Sequence, residues 1–144
     1  DGTDEHWTKV VAGYFLSKTQ AERLSWEFME IKGLMNKFTT ICPGGVFGDA
    51  LDKKGGTSIE YVRQFLKGKF PAAPKWGVLI SDVKDIAKAH VACIGNTKVG
   101  GRRLIVGKEV KKLIELSQIM AEAMPEYAKK TSKEASSKFY GKIV

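Results

Sequence analysis

Apolar and polar positions follow two patterns along the chain, one with helical spacing and one with the spacing of extended strands. Across residues 10–32 the apolar positions recur at helical spacing, which predicts a long helix that ends at Gly33. The β-branched run at 38–42 is stopped by the Pro-Gly-Gly at 43–45 and predicts a strand. Residues 49–56 are rich in Gly, Asp and Lys and predict a loop.

The rest of the chain continues to alternate between helical and extended patterns. Thr57 or Ser58 is predicted to cap the next helix, and Gly68 closes it. Asp82 or Asp85 is predicted to cap the following one. In chain order the predicted elements are a helix at 59–67, an extended linker at 70–74, a strand at 77–81, a helix that reaches 94, a strand at 102–106 and a helix at 113–124 stopped by Pro125, with no element predicted for the polar stretch 129–144.

Strands that alternate with helices in this way indicate an α/β fold with parallel strand pairing. The length of 144 residues suits a single domain over 1–144. No apolar run approaches the roughly 18 residues of a membrane span, so no membrane partner is expected. The acidic start DGTDEHWTKV does not resemble a secretory signal, so we expect a cytoplasmic protein, with an organelle as the alternative.

The net charge of +8 raises the question of an acidic partner such as nucleic acid. The lysines are spread along the chain, however, and no aromatic residues interleave with basic ones as on a base-stacking surface. A solvated basic surface is therefore the preferred interpretation, and no nucleic-acid partner is expected. Cys42 and Cys93 lie in apolar contexts and are interpreted as buried reduced thiols, and two scattered histidines predict no metal site.

Tyr14 and Lys18 stand four residues apart on the first predicted helix and so share one face of it. A nearby ammonium favours the phenolate form of a tyrosine, which suits that tyrosine for proton transfer to and from a carbonyl oxygen. The lysine can also donate hydrogen bonds to a ribose hydroxyl of a cofactor. An exposed helical face accounts for the same two residues without any chemistry.

Ordered motifs around this pair resemble a known family. The stretch YFLSKTQAE at 14–22 resembles the Tyr-x-x-Ser-Lys-Thr-x-Ala-Glu motif of the extended short-chain dehydrogenases/reductases, the NAD-dependent epimerase/dehydratase superfamily. The resemblance is nearest to the dihydroflavonol reductase, cinnamoyl-CoA reductase and aldehyde reductase branch. The other elements follow in the family's order: DEHW at 4–7, ICPGGVFG at 41–48, FLKGKFP at 65–71, DVKDIAKAH at 82–90 and GGRRL at 100–104.

This resemblance implies an NAD(P)-dependent oxidoreductase of the carbonyl reductase or alcohol dehydrogenase type, with a small-molecule carbonyl or alcohol as substrate. It implies that Tyr14 is the proton donor and acceptor, and that Lys18 is its catalytic partner and binds the cofactor. Resemblance to this branch implies NADP as the preferred cofactor, with NAD as the alternative. The loop implied to face the nicotinamide comprises Pro43, Gly44, Gly45 and Val46.

Two parts of the family pattern have no counterpart in these residues. One is the strand, glycine-rich turn and helix that bind the dinucleotide, and the other is the upstream catalytic Ser or Thr, for which Thr3 stands too close to Tyr14. The resemblance therefore implies the later part of a Rossmann-type parallel sheet with substrate-domain elements, without the nucleotide-binding half. The alternative is a non-catalytic fragment or half-protein, an interaction subunit whose exposed sheet edge is covered by the missing half or by a protein partner.

Overall fold

A computed structural model describes residues 3–51, 56–70, 72–133 and 135–136, and the chain divides into two compact units. Unit 1 comprises Asp1–Pro43 and Lys84–Val106, and unit 2 comprises Gly44–Val83 and Gly107–Val144. This division does not test the prediction of one partial domain, because two compact units can unfold as one cooperative domain. Parts of the predicted loop, linker and C-terminal stretch lie outside the described residues, at 52–55, 71, 134 and 137–144.

Helices and strands alternate along most of the described chain. The helices are α1 (Thr3–Ile31), α2 (Thr57–Leu66), α3 (Val83–Cys93) and α4 (Leu113–Ala123). The strands are β1 (Thr39–Pro43), β2 (Gly45–Phe47), β3 (Ala73–Pro74), β4 (Gly77–Asp82), β5 (Arg102–Val106), β6 (Glu109–Lys112) and β7 (Ala135–Ser136). Single turns of 3-10 helix lie at Met35–Lys37, Thr97–Val99 and Pro125–Tyr127. Within the described residues no helix is long and apolar enough to cross a membrane.

Unit 1 is built on a parallel strand pair and the long helix α1. Strands β1 and β5 run parallel with Thr40 opposite Arg103, as the α/β prediction expects. Gly33 ends α1 with a φ of 65°, a conformation that glycine adopts without strain. The next turn is then fixed by the Leu34 amide, which donates to the Met29 carbonyl at 2.9 Å.

Helix α1 meets the rest of unit 1 along a narrow stripe. Among its described side chains at 12–31, Glu22, Trp26 and Met29 are half-buried and the others are exposed. These three positions follow helical spacing and so lie on one face. Trp26 packs edge-on against Phe38, with 4.6 Å between the ring centroids. Among the described side chains, the attachment of α1 to the rest of unit 1 therefore lies between Glu22 and Met29.

Unit 2 contains a mixed sheet in the order β2-β4-β6. Strand β4 pairs parallel with β2 and antiparallel with β6, so the prediction of parallel pairing is wrong for the β4–β6 pair. Strand β6 has the sequence Glu-Val-Lys-Lys and lies at the edge of this sheet. Charged edge strands lack the apolar alternation of a half-buried strand, which explains why the pattern did not predict it.

The core of unit 2 combines stacked aromatic rings with buried hydroxyl groups. Phe65 and Phe70 are 4% and 5% exposed, and their ring centroids lie 4.4 Å apart. Buried Ser132 donates its hydroxyl to the Phe70 carbonyl at 2.6 Å, and buried Ser117 of α4 donates to the Ser132 carbonyl at 2.8 Å. These hydrogen bonds join α4, the segment after α2 and the chain at Thr131–Ser132 into one core.

Most predicted elements are present with shifted ends. The predicted helix at 10–32 begins earlier, at Thr3, and the strand at 102–106 has the predicted bounds. Helix α2 begins after Gly56, so the prediction of a Thr57 or Ser58 cap is wrong, because both residues lie inside its first turn. Helix α3 begins directly after Asp82, one of the two predicted capping residues.

Candidate functional site

Tyr14 and Lys18 lie one turn apart on α1, as their spacing predicts. The Lys18 Nζ atom stands 5.7 Å from the centroid of the Tyr14 ring. Both side chains are exposed, Tyr14 to 58% of its surface. The phenol and the ammonium are therefore neighbours and remain open to a ligand. Ser17 lies between them in the sequence but bonds locally, since its hydroxyl donates to the Tyr14 carbonyl at 2.7 Å.

The same geometry recurs at the other end of the helix, between Phe28 and Lys32. There the Lys32 Nζ atom lies 5.6 Å from the centroid of the Phe28 ring. A lysine four residues after an aromatic residue thus reaches the ring wherever a helix places the two. What distinguishes the pair at 14 and 18 is the phenolic hydroxyl, which can donate or accept a proton, whereas a phenylalanine ring can do neither.

Glu22 continues the face of α1 that carries Tyr14 and Lys18, and it joins that face to both strands of unit 1. Its Oε1 atom accepts from Arg103 Nε at 2.8 Å and from Thr40 Oγ1 at 2.9 Å. Trp26 Nε1, one turn further along the helix, donates to the same oxygen at 3.4 Å. Thr40 and Arg103 are opposite each other in the β1–β5 register. One carboxylate therefore binds both strands at the same position along their length.

The donors around Glu22 favour its ionised form. The Arg103 guanidinium lowers the pKa of Glu22 below its ordinary value of 4.5, and the Thr40 and Trp26 hydrogen bonds act in the same direction. Burial of the carboxylate opposes them and is the second largest effect. The pKa of Arg103 is raised in turn, mainly by its hydrogen bond to Glu22. Glu22 therefore carries a negative charge at neutral pH.

This ion pair makes a testable contribution to the pH dependence of unfolding. Because folding lowers the pKa of Glu22, its contribution to stability is complete above about pH 4.5 and is lost as the pH falls through the lowered value. We expect the thermal midpoint of the wild type to fall more steeply than that of Glu22→Gln between about pH 5 and pH 3. Calorimetry measures both slopes, and equal slopes would contradict the assignment.

The control for this measurement is Glu27→Gln. Glu27 also accepts a hydrogen bond from an arginine, Arg23 Nε at 2.9 Å, but both residues lie on α1 and are exposed. Such a surface pair contributes little to stability. Glu27→Gln should therefore keep the slope of the wild type.

The residues implied to face the nicotinamide divide between the two units. Pro43 ends β1 in unit 1, whereas Gly44, Gly45 and Val46 belong to unit 2. In unit 2 the Gly44 amide donates to the hydroxyl of Ser81 at 2.9 Å, and Ser81 is 2% exposed. Their contact with a cofactor stays a prediction.

Gly44 lies where no side chain fits. A Cβ atom at this position would overlap the backbone carbonyl of Leu79 in β4. Ser81 follows two residues later in the same strand and binds the Gly44 amide, a role that the sequence analysis did not predict. The available signal was a serine placed directly after the apolar run Val78–Ile80. Packing against Leu79 thus requires a glycine at position 44, whether or not a ligand binds there.

The two cysteines are free thiols and are half-buried, where the sequence predicted buried thiols. Cys42 follows Thr40 by two residues on β1 and therefore faces the same side of the strand. Its Sγ atom lies 3.9 Å from Glu22 Oε1. Within the described residues, no group of three or more His, Cys, Asp or Glu side chains could hold a metal ion.

Comparison with known proteins finds similarity to reductases. No protein-family model matches the chain. It is 32% identical over 126 residues to the NADPH-dependent methylglyoxal reductase GRE2 of Saccharomyces cerevisiae, a match covering 80% of this chain and 36% of that protein. It is 32% identical over 114 residues to the cinnamoyl-CoA reductase CAD2 of Medicago truncatula, covering 78% and 33%.

The solved structures agree with the sequence relatives. The yeast methylglyoxal/isovaleraldehyde reductase Gre2 complexed with NADPH superposes with a TM-score of 0.63 at 26% identity, over 83% of this chain and 44% of that one. This match confirms the α/β prediction of a Rossmann-type reductase fold. The chain spans about a third of the length of the curated relatives it matches. The chain belongs to the NAD-dependent epimerase/dehydratase reductase family and corresponds to one part of the longer chains of its relatives.

Proposed function

We propose that this chain carries the catalytic pair of an NADP-dependent carbonyl reductase. The observation that carries the proposal is the placement of Tyr14 and Lys18 on one exposed face of α1, with Nζ 5.7 Å from the ring centroid. When bound, a nicotinamide cofactor supplies a hydride to a carbonyl carbon or accepts one from an alcohol carbon. The chain's own residues then have to handle the proton and to hold the reactants.

In this proposal Tyr14 moves the proton and Lys18 supports it. During reduction the Tyr14 hydroxyl donates its proton to the carbonyl oxygen, and during oxidation the phenolate takes the proton back from the alcohol. The positive charge of Lys18 stabilises that phenolate. Its three N–H donors also fit a ribose hydroxyl, which would let one side chain bind the cofactor as well as support Tyr14.

The relatives guide the choice of cofactor and substrate class. Their names specify NADPH for the yeast methylglyoxal reductase, and its structure was solved with NADPH. We extend NADP to this chain on that basis, together with small-molecule carbonyl compounds as substrates. Cys42 and Cys93 are free thiols, which suits a reducing compartment, and we propose the cytoplasm.

The test uses the full-length protein that carries this chain. Consumption of NADPH and of NADH is followed with a panel of aldehydes, α-dicarbonyls and acyl-CoA thioesters. The proposal expects turnover with at least one carbonyl class and a lower KM for NADPH than for NADH. No turnover with any class would contradict the reductase function, and a lower KM for NADH would contradict the cofactor choice.

Removing the charge of Lys18 should weaken both of its roles. In Lys18→Met the KM for NADPH is expected to rise by about tenfold, because a charged hydrogen bond to a ligand contributes about 1.5–3 kcal/mol. The rate at saturating cofactor should also fall. Lys32→Met is the matched control, since it removes an equivalent contact, that of Lys32 with the Phe28 ring at the C-terminal end of α1. Equal kinetics for the two variants would contradict the role of Lys18.

A different observation favours a second candidate function. Leu16, Leu24 and Ile31 lie on one side of α1 and are between 57% and 82% exposed, more apolar surface than a solvated helix needs. A non-catalytic interaction subunit would use such a face to dock on a protein partner or on a nucleotide-binding half. Under this function Tyr14→Phe leaves the biological role intact, whereas charged residues at Leu24 and Ile31 abolish it.

A further inference from the structure

We propose that Glu22 is a positioning residue for the reduction, which aims Tyr14 and Lys18 by fixing α1 on strands β1 and β5. This inference rests on the proposed function. Glu22 stands one turn after Lys18 and two turns after Tyr14, so any rotation of the helix at Glu22 moves both catalytic side chains. The carboxylate does not reach the reactants in this role. It acts through the helix that carries them.

The narrow attachment of α1 makes one directional contact important. Of the described side chains at 12–31, only Glu22, Trp26 and Met29 are shielded by the rest of unit 1. Trp26 packs its ring on Phe38, and Met29 is apolar. Apolar contacts are largely non-directional and tolerate sliding or rotation. Hydrogen bonds to a carboxylate prefer defined distances and angles. Among the described side chains at 12–31, Glu22 is thus the one that fixes the rotation of α1 about its axis.

The arrangement of donors supports this role. Thr40 and Arg103 approach Glu22 Oε1 from two different strands, at 2.9 and 2.8 Å. Hydrogen bonds to two separate strands restrict a helix more than two hydrogen bonds to one strand, because the helix cannot then rotate about either hydrogen bond without breaking the other. The ionised state of Glu22 strengthens both bonds. Loss of the acceptor leaves α1 attached but free to shift by a fraction of a turn.

A misplaced acid is inefficient even in a folded protein. Displacement of a reacting group by about 1 Å can lower a rate by about a hundredfold. We expect Glu22→Leu, which removes the acceptor, to lower kcat of the full-length protein by about 10- to 100-fold. The KM for the carbonyl substrate should stay within about twofold, because Glu22 does not touch it. Glu22→Gln retains an acceptor oxygen and should give an intermediate kcat.

The matched control is Glu27→Leu. It replaces a glutamate that binds an arginine on the same helix but makes that bond to Arg23 of α1 itself. Its kcat should equal that of the wild type. All rates are measured well below the lowest thermal midpoint, so that a loss of folded protein does not imitate a loss of rate. If Glu22→Leu keeps the wild-type kcat under these conditions, the positioning role is wrong.

A double-mutant cycle separates positioning from a general structural effect. If Glu22 acts through Tyr14, Glu22→Leu causes no further fall in turnover in a Tyr14→Phe protein, because residues that act as a unit are non-additive. Additive losses would overturn the proposal. Thr40→Val offers a milder change if Glu22→Leu does not fold, with a kcat reduced by about threefold expected from the lost hydroxyl donor. A wild-type kcat in Thr40→Val would then overturn it.

The outcomes also separate this inference from the proposed function. Wild-type turnover in Tyr14→Phe removes the proposed function and the inference with it. A loss of turnover in Tyr14→Phe, combined with unchanged turnover in Glu22→Leu, removes the inference alone. Only a loss in both variants, without additivity, supports the two together.

Discussion

Replacing Tyr14 by phenylalanine is expected to lower the turnover of the full-length protein by about a thousandfold, within the range of a positioned general acid. The change removes one hydroxyl and leaves the ring and the helix in place. The Tyr14–Phe15 contact, with 5.7 Å between ring centroids, involves the rings and not the hydroxyl. Stability should therefore stay unchanged while the rate falls. Steady-state consumption of reduced nicotinamide and a thermal scan measure the two effects.

Tyr127→Phe provides the comparison for Tyr14→Phe. Tyr127 is another exposed tyrosine, in the single helical turn Pro125–Tyr127 of unit 2, and its hydroxyl has no proposed role. We expect its turnover to match that of the wild type. If Tyr14→Phe retained more than about a tenth of the wild-type rate, Tyr14 would not be the proton donor, and the interaction-subunit function would be favoured.

Replacing Gly44 by alanine is expected to destabilise the protein by about 3 kcal/mol, at the upper end of the cost of overpacking. The new Cβ atom overlaps a backbone carbonyl, that of Leu79, and a backbone yields less readily than the end of a side chain. Leu79 also lies in β4, which is paired on both sides by β2 and β6 and so cannot shift alone. Steric overlap is the cause, since φ of Gly44 is not in the left-handed region.

Gly13→Ala tests the same substitution where space is free. No atom lies within 4 Å of a Cβ atom placed on Gly13, which stands inside α1. Alanine there should stabilise the protein by about 0.5–1 kcal/mol through its higher helix propensity. Chemical denaturation of both variants measures the two opposite signs. Unchanged stability of Gly44→Ala would show that the Gly44–Leu79 approach relaxes freely.

The sequence pattern predicts the long elements well and the short ones poorly. Helix α1 follows from helical spacing, and strand β5 from an apolar end, Leu104–Val106, in a segment with a glycine on each side. Strand β2 is only three residues long and begins at Gly45, the second of two glycines whose pattern is typical of a turn. Strand β6 is charged, and its pairing comes from β4, about 30 residues earlier in the chain. Short strands depend on partners that local pattern does not contain.

The candidate site shows the same division between local and distant information. The proximity of Tyr14 and Lys18 follows from helix geometry alone and was predicted. The role of Glu22 was not, because its partner Arg103 is 81 residues away. Its alignment with Thr40 depends on the β1–β5 register. A glutamate in a helix reads as a solvated residue until the strands beside it are placed.

Among the described side chains of α1 at 12–31, the half-buried ones all follow Tyr14 along the helix. Tyr14 precedes Glu22 by eight residues, which is about 12 Å along the axis at 1.5 Å per residue. A tilt of about 5° at the Glu22 pivot would therefore carry the Tyr14 backbone through about 1 Å. Small changes in the strands at Thr40 and Arg103 would thus displace Tyr14 by about 1 Å, a distance that can lower a rate about a hundredfold. Under the proposed function, substitutions that alter the angle of α1 should therefore change the rate although they touch no substrate.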